Sequence, residues 1–160
     1  MSKLKGSAFE RKIAKAFNDR FSEFVGVELP FGRNMHSGAF FGGKNSHRVA
    51  KYDEKDVDVG DITVPMNFKY VIECKHYKTP TSLKQLVEQK SAMLDKWIGQ
   101  NDIDAKSTGK KSMIIIKYNL VPELVMMEAD IGDYFGRYKG YYMYSLVDVL
   151  KKNENIFFDL

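Results

Sequence analysis

The spacing of apolar side chains changes period partway along this 160-residue chain, and that change restricts the folds open to it. Over residues 3–24 the period is helical: with Phe9 at zero, Ile13, Phe17 and Phe21 fall at about 40°, 80° and 120°, with Ala16 at about 340°. Lys12, Lys15, Asn18 and Asp19 take the other side. From Val57 the period becomes two. Val57 to Val64 reads as a strand, Pro65-Met66-Asn67 as a turn, and Lys69 to His76 as a second strand. Ser82, with Gln85 three residues later, forms a capping box. The helix it opens carries Leu83, Leu86, Val87, Met93, Leu94, Trp97 and Ile98 on one face and is expected to end near Gly99. Lys111 to Tyr118 is a central strand, Glu123 to Met127 another, and Tyr141 to Tyr144 a short strand ahead of a helix over Ser145 to Lys152. A chain that alternates in this way builds an α/β fold, a central mixed β-sheet flanked by helices.

Composition excludes several alternatives. Hydrophobic residues make up 44% and charged ones 29%, which excludes collagen, coiled coil and wholesale disorder. No apolar run approaches the ~20 residues of a membrane span, and no apolar segment follows the basic start Met1-Ser2-Lys3-Leu4-Lys5 as a secretory signal would require. Cys74 stands alone and can form no internal disulfide, which fits a reducing, cytoplasmic setting. The formal charge is +4. Residues 119–160 hold 4 basic and 7 acidic side chains, a net of −3, which leaves +7 on residues 1–118. A polyanionic partner therefore belongs on the first three quarters of the chain.

Residues 28–56 show neither period. They set Gly32, Gly38, Gly42 and Gly43 among Arg33, His36, Lys44, His47, Arg48 and Lys51, a composition suited to a basic segment that orders on a phosphate backbone. The hairpin after it concentrates the chemistry. With the turn centred on Asn67, Asp61 faces Glu73, and Lys75 shares their face. Like charges directly opposite across strands repel, so two facing carboxylates call for a cation, and hard divalent ions take such oxygen ligands. A surface hairpin with Lys75 bridged to one acid satisfies the same spacing. Glu10 adds a third carboxylate, at about 100° inside the apolar stripe of the first helix, where it needs a partner.

Gly60-Asp61-Ile62 followed by Val71-Ile72-Glu73-Cys74-Lys75 resembles the active-site signature of the PD-(D/E)XK nuclease superfamily. With Gly6-Ser7-Ala8-Phe9-Glu10-Arg11 ahead of it, and Arg33, Ser37 and Gly38 between, it resembles more specifically the Holliday junction resolvases of phage or archaeal type. The resemblance covers residues 3–118 and implies a restriction-endonuclease-like core of αβββαβ order. Residues 1–160 are then one nuclease domain, with 119–160 packing on the core or at a dimer interface. One position departs from the pattern: the usual proline before the aspartate is Gly60 here. Asp56 and Asp58 compete with Asp61 for its place.

The resemblance implies metal-dependent hydrolysis of DNA phosphodiester bonds, resolving four-way junctions by paired symmetric nicks in a homodimer, in the host cytoplasm if phage-encoded. Asp61, Glu73 and the backbone carbonyl of Cys74 would ligate Mg²⁺ or Mn²⁺, with Glu10 a further candidate ligand. Lys75 would orient or deprotonate the attacking water, or stabilise charge on the phosphorane. Arg33, Ser37, Lys44, Arg48, Lys51, Lys84 and Lys90 would contact DNA. A sequence-specific or nonspecific duplex nuclease, and a non-catalytic DNA-binding relative, are the alternatives. Cys74 and His76 alternate to the opposite face from Glu73 and read as structural, and Trp97 as core.

Overall fold

The computed structural model describes residues 3–35, 56–57 and 59–160. Helix α1 (Lys3–Val25) is followed by β1 (Gly32–Arg33), β2 (Asp56–Val57), β3 (Ile62–Pro65) and β4 (Tyr70–Tyr77). Helices α2 (Leu83–Glu88) and α3 (Ala92–Thr108) lead to β5 (Lys111–Tyr118), β6 (Leu124–Met127), β7 (Gly136–Tyr138), β8 (Tyr141–Ser145) and α4 (Leu146–Leu150). The strands lie in the order β1-β3-β4-β5-β6-β8-β7, with β2 also paired to β3. Among the described strands only β4 and β5 run parallel, from Tyr70 opposite Lys111 to Tyr77 opposite Tyr118. A parallel pair needs a long crossover, and α2 and α3 supply it. The result is the expected α/β architecture, a mixed sheet flanked by helices.

The 3.6-residue stripe of α1 buries Phe9, Ile13, Phe17 and Phe21 against one face of the sheet, with Ile72 and Cys74 of β4 and Met113 and Ile115 of β5. The other face packs Ile114 and Ile116 under Leu94 and Trp97 of α3. Strand alternation thus puts Cys74 beneath α1 and Glu73 and Lys75 on the α3 side. Residues 119–160 complete the sheet through β6 to β8. They also return Phe157 and Phe158 to the first face, with ring centroids 5.2 Å from that of Phe21. Six or more aromatic rings meeting at such distances make this face the larger store of burial energy, at roughly 1.5–3 kcal/mol per fully buried side chain.

Three local expectations are corrected. The stretch Val57 to Val64 is not one strand: β2 and β3 are antiparallel partners, Val57 opposite Val64, so the chain reverses between them. Gly60 lies near this reversal with φ +87°, a conformation open to glycine and costly for other residues. The helix after Ser82 is not continuous to Gly99. Its capping box forms as expected, but α2 stops at Glu88, where Gln89 turns left-handed at φ 55°. Ser91 then caps α3, which runs through Gly99 to Thr108. Leu83 and Val87 are consequently exposed rather than core. Asn18, assigned to the solvent side of α1, is buried, because its amide both donates to the Phe31 carbonyl and accepts from the Phe31 N–H, each at 2.8 Å. That clip fixes the chain entering β1 against the middle of α1, so the residues after it arrive at a set place.

Candidate active site

The hairpin register is as the alternation requires, Ile62 opposite Ile72. Asp61 sits just ahead of β3, its N–H donating to the Ile72 carbonyl at 2.9 Å. Its Oδ2 accepts the Cys74 N–H at 2.8 Å, so the aspartate reaches over the edge of β4 next to Glu73. Glu73 is buried at 6% exposure, and its Oε1 takes the Lys75 ammonium at 2.7 Å. The salt bridge is therefore real, but it is interior rather than on a surface hairpin.

Burial raises Asp61 to a pKa of about 7; Glu73 and Glu10 push the same way, against the Cys74 N–H and Lys75. Burial also lifts Glu73 above the ordinary carboxylate range, with Lys75 opposing and the carboxylates of Asp104 and Glu10 adding to the rise. Burial alone would lower Lys75; the charge and hydrogen bond of Glu73, with Asp61, outweigh it and raise the ammonium above the usual lysine value. Lys75→Met removes that cation and leaves Glu73 buried beside other acids. We expect it to cost about 3 kcal/mol of stability at pH 8. Part of that loss should return as the pH falls and Glu73 protonates. Urea unfolding at pH 8 and pH 5 measures this, and equal losses at both would show that the pair is not electrostatically coupled to folding.

Glu10 finds its partner in Arg33, whose Nε donates to Glu10 Oε2. Thus the leading-helix acid and the first basic residue of the 28–56 stretch meet each other. Both Asp61 and Glu73 feel the Glu10 charge. Cys74 is buried in the α1-side core, and burial and the surrounding acids push its thiol well above the ordinary range, which leaves no thiolate to act as a nucleophile. The His76 ring packs against that of Phe9, with centroids 5.8 Å apart.

The remaining expected contacts are spread out. Lys84 is exposed on α2, 4.0 Å from Glu88. Lys90 is exposed between α2 and α3 and is not part of an apolar helix stripe, since the helix breaks before it. Ser37, Lys44, Arg48 and Lys51, with the competing Asp58, lie outside the described residues, as does the side chain of Asp56. Two residues near the site escaped the sequence reading. Asp104 was missed because a helix ending at Gly99 cannot carry it over β4. Asn34, 1% exposed, donates its N–H to the Asp61 carbonyl and its Nδ2 to the Gly60 carbonyl, both at 2.8 Å.

Gly60 explains the missing proline. A Cβ there would lie 2.6 Å from the Ile72 carbonyl oxygen and 2.8 Å from Val71 Cγ1, and proline's φ near −65° cannot meet +87°. In this chain the turn before the aspartate needs glycine.

A mixed sheet between helices, with an aspartate entering one strand and a Glu-X-Lys sequence on the next, defines a protein of the PD-(D/E)XK nuclease superfamily. Over residues 1–159 the chain matches the family model PDDEXK_15, phage putative PDDEXK endonuclease, and it belongs to that family. Searches of the curated proteins and of the solved structures returned no match. The membership makes it a nuclease with DNA as its substrate class. Among the described residues no helix is long and apolar enough to cross a membrane.

Nucleases of this superfamily generally use divalent metal ions, and the donors present fit one. Asp61 and Glu73 are largely buried carboxylates, and the Glu73 charge adds to burial in raising the proton affinity of Asp61, a cost a dication would relieve. Among the described residues no three His, Cys, Asp or Glu side chains converge as a cation site. The two carboxylates would then be the side-chain donors available to such an ion, with water completing its shell.

Proposed function

We propose that the protein, acting as one nuclease domain over residues 1–160, is a Mg²⁺- or Mn²⁺-dependent DNA endonuclease that resolves four-way junctions by paired nicks. The observation that carries this reading is the buried acid pair at the β3–β4 edge, with Lys75 bound to Glu73 and, among the described residues, no ion pair to Asp61. Asp61, Glu73 and the Cys74 carbonyl would hold the ion. When bound, such an ion lowers the pKa of a water and polarises the scissile phosphate. Without an ion, Glu73 holds the Lys75 ammonium charged. In the reaction Lys75 would orient or deprotonate the attacking water, or stabilise the negative charge that develops on the phosphate oxygens.

Glu10 holds the Arg33 guanidinium beside the acids, in reach of a phosphate next to the one being cut. Ser37, Lys44, Arg48 and Lys51 would carry the neighbouring backbone, with Lys84 and Lys90 as outlying contacts. The junction preference is supported by the leading-helix glutamate and the basic stretch before the aspartate. Two symmetric cuts require two active sites, hence a homodimer.

The test is cleavage of labelled four-way junction, linear duplex and single strand by wild type and Asp61→Ala, with Mg²⁺ and with a chelator. Paired cuts confined to the junction, lost in the variant and in the chelator, are expected. Equal cutting of linear duplex would refute junction resolution, and intact DNA binding without metal-dependent cutting would refute catalysis.

A further inference from the structure

Asp61 sits next to a glycine, and a peptide beside a left-handed glycine is the easiest part of a backbone to turn over. Rotating the Gly60–Asp61 peptide plane changes chiefly ψ of Gly60 and φ of Asp61, and the first of these is cheap because it belongs to a glycine. Such a rotation would turn the Asp61 N–H away from the Ile72 carbonyl and so free Asp61 from its seat on β4. What opposes it lies at both ends of that one peptide. Its N–H, from Asp61, donates to the Ile72 carbonyl at 2.9 Å. Its C=O, from Gly60, accepts Asn34 Nδ2 at 2.8 Å. The next carbonyl, that of Asp61, accepts the Asn34 N–H at 2.8 Å.

Asn34 is buried at 1% exposure, so no water substitutes freely for its amide. Its neighbour Arg33 is opposite Ile62 in the β1–β3 ladder, which sets Asn34 level with Asp61. The far end of the aspartate is tied too, through the Cys74 N–H on Oδ2 at 2.8 Å. Strand β4 thus holds one side of the Gly60–Asp61 unit and a single asparagine holds the other.

We propose that Asn34 is a positioning residue for Asp61: its side-chain amide locks the Gly60–Asp61 peptide in the one orientation that presents the carboxylate beside Glu73. This deepens the nuclease reading and rests on it for the catalytic consequence. Asn34 is not one of the proposed ligands. It acts through the backbone, so its loss lowers turnover rather than DNA affinity. A shift of about an ångström at a ligand is enough to cost on the order of 30- to 100-fold in rate.

The experiment compares wild type with Asn34→Asp, which keeps the shape and backbone N–H but turns an oxygen toward the Gly60 carbonyl. Asn34→Ser is a second variant should the first fold poorly. Amide hydrogen exchange is followed by NMR at Cys74, whose N–H reports the Asp61 contact, and at Ile114 and Ile115 of β5 as references. DNA affinity is measured in Ca²⁺, and kcat and KM in Mg²⁺ or Mn²⁺. We expect exchange at Cys74 to rise about ten-fold with the β5 amides unchanged. The expected kcat falls by about 30-fold with KM and DNA affinity within about two-fold of wild type. Cys74 exchange that stays at the wild-type rate, or that rises only together with the β5 amides, would overturn the lock. Unchanged kcat with faster Cys74 exchange would overturn its catalytic role. If wild type cuts no DNA with either ion, the nuclease reading fails, while the exchange comparison still judges the lock.

Discussion

Asp61→Asn should abolish metal-dependent cleavage and, with no metal present, make the protein more stable at pH 8. The two effects share one cause. Burial raises Asp61 to about 7, with Glu73 and Glu10 pushing the same way, whereas in the unfolded chain it titrates near 3.8. The folded state therefore binds this proton more tightly than the unfolded state. Its contribution to stability is complete below about pH 4, falls as the pH rises, and is lost above about pH 7. At pH 8 the ionised carboxylate costs the metal-free protein on the order of 2–4 kcal/mol. Asparagine carries no charge but still offers an oxygen to the Cys74 N–H, so it removes the cost and keeps the contact. Urea unfolding with a chelator should show the variant more stable at pH 8 and level with wild type near pH 4. Adding Mg²⁺ should stabilise wild type and leave the variant unmoved. A variant less stable than wild type at pH 8 would mean that the ionised aspartate is a structural anchor rather than a site awaiting a cation.

Gly60→Ala is the second large effect. A methyl group at 2.6 Å from the Ile72 carbonyl oxygen meets backbone of the central hairpin, which cannot yield as a flexible side chain does. The positive φ adds strain of its own. Together these should cost about 3 kcal/mol or more, visible as a lower melting temperature. Cleavage should fall by at least about 100-fold even at temperatures where the variant is folded, because relief of the overlap moves the residue that leads into Asp61. Gly60→Pro, which restores the residue usual in the superfamily, should do no better, since its ring holds φ near −65°. A Gly60→Pro variant with wild-type stability would show that this turn has another conformation open to it.

Much of the site was legible because its logic is local. A strand period of two around a centred turn is enough to bring Asp61 level with Glu73 and to set Lys75 on the same face, and the ladder has that register. The helical stripe of Phe9, Ile13, Phe17 and Phe21 is buried as its spacing requires. The capping box at Ser82 forms from side chains three residues apart. The misreadings arose where a residue's state depends on a distant partner. Asn18 looked solvent-facing by angle, but Phe31 offers it a backbone donor and acceptor in the interior. The helix after Ser82 looked continuous, yet it breaks at Gln89. There the Gln89 side chain donates to the Arg137 carbonyl and accepts the Lys139 N–H, and Ser91 donates to Tyr138 Oη. None of these partners is near in sequence.

By itself, the sequence determined most of the elements and the hairpin register, and it singled out Glu10, Asp61, Glu73 and Lys75 as candidates, because periodicity, capping and alternation are properties of neighbouring residues. The tertiary structure decided how their charges are shared. It gave Lys75 to Glu73 and Arg33 to Glu10, left Asp61 with a proton affinity far above its ordinary value, and placed Asn34 behind it. Burial and long-range pairing set the energy of a charge, and both exist only once the chain has closed on itself.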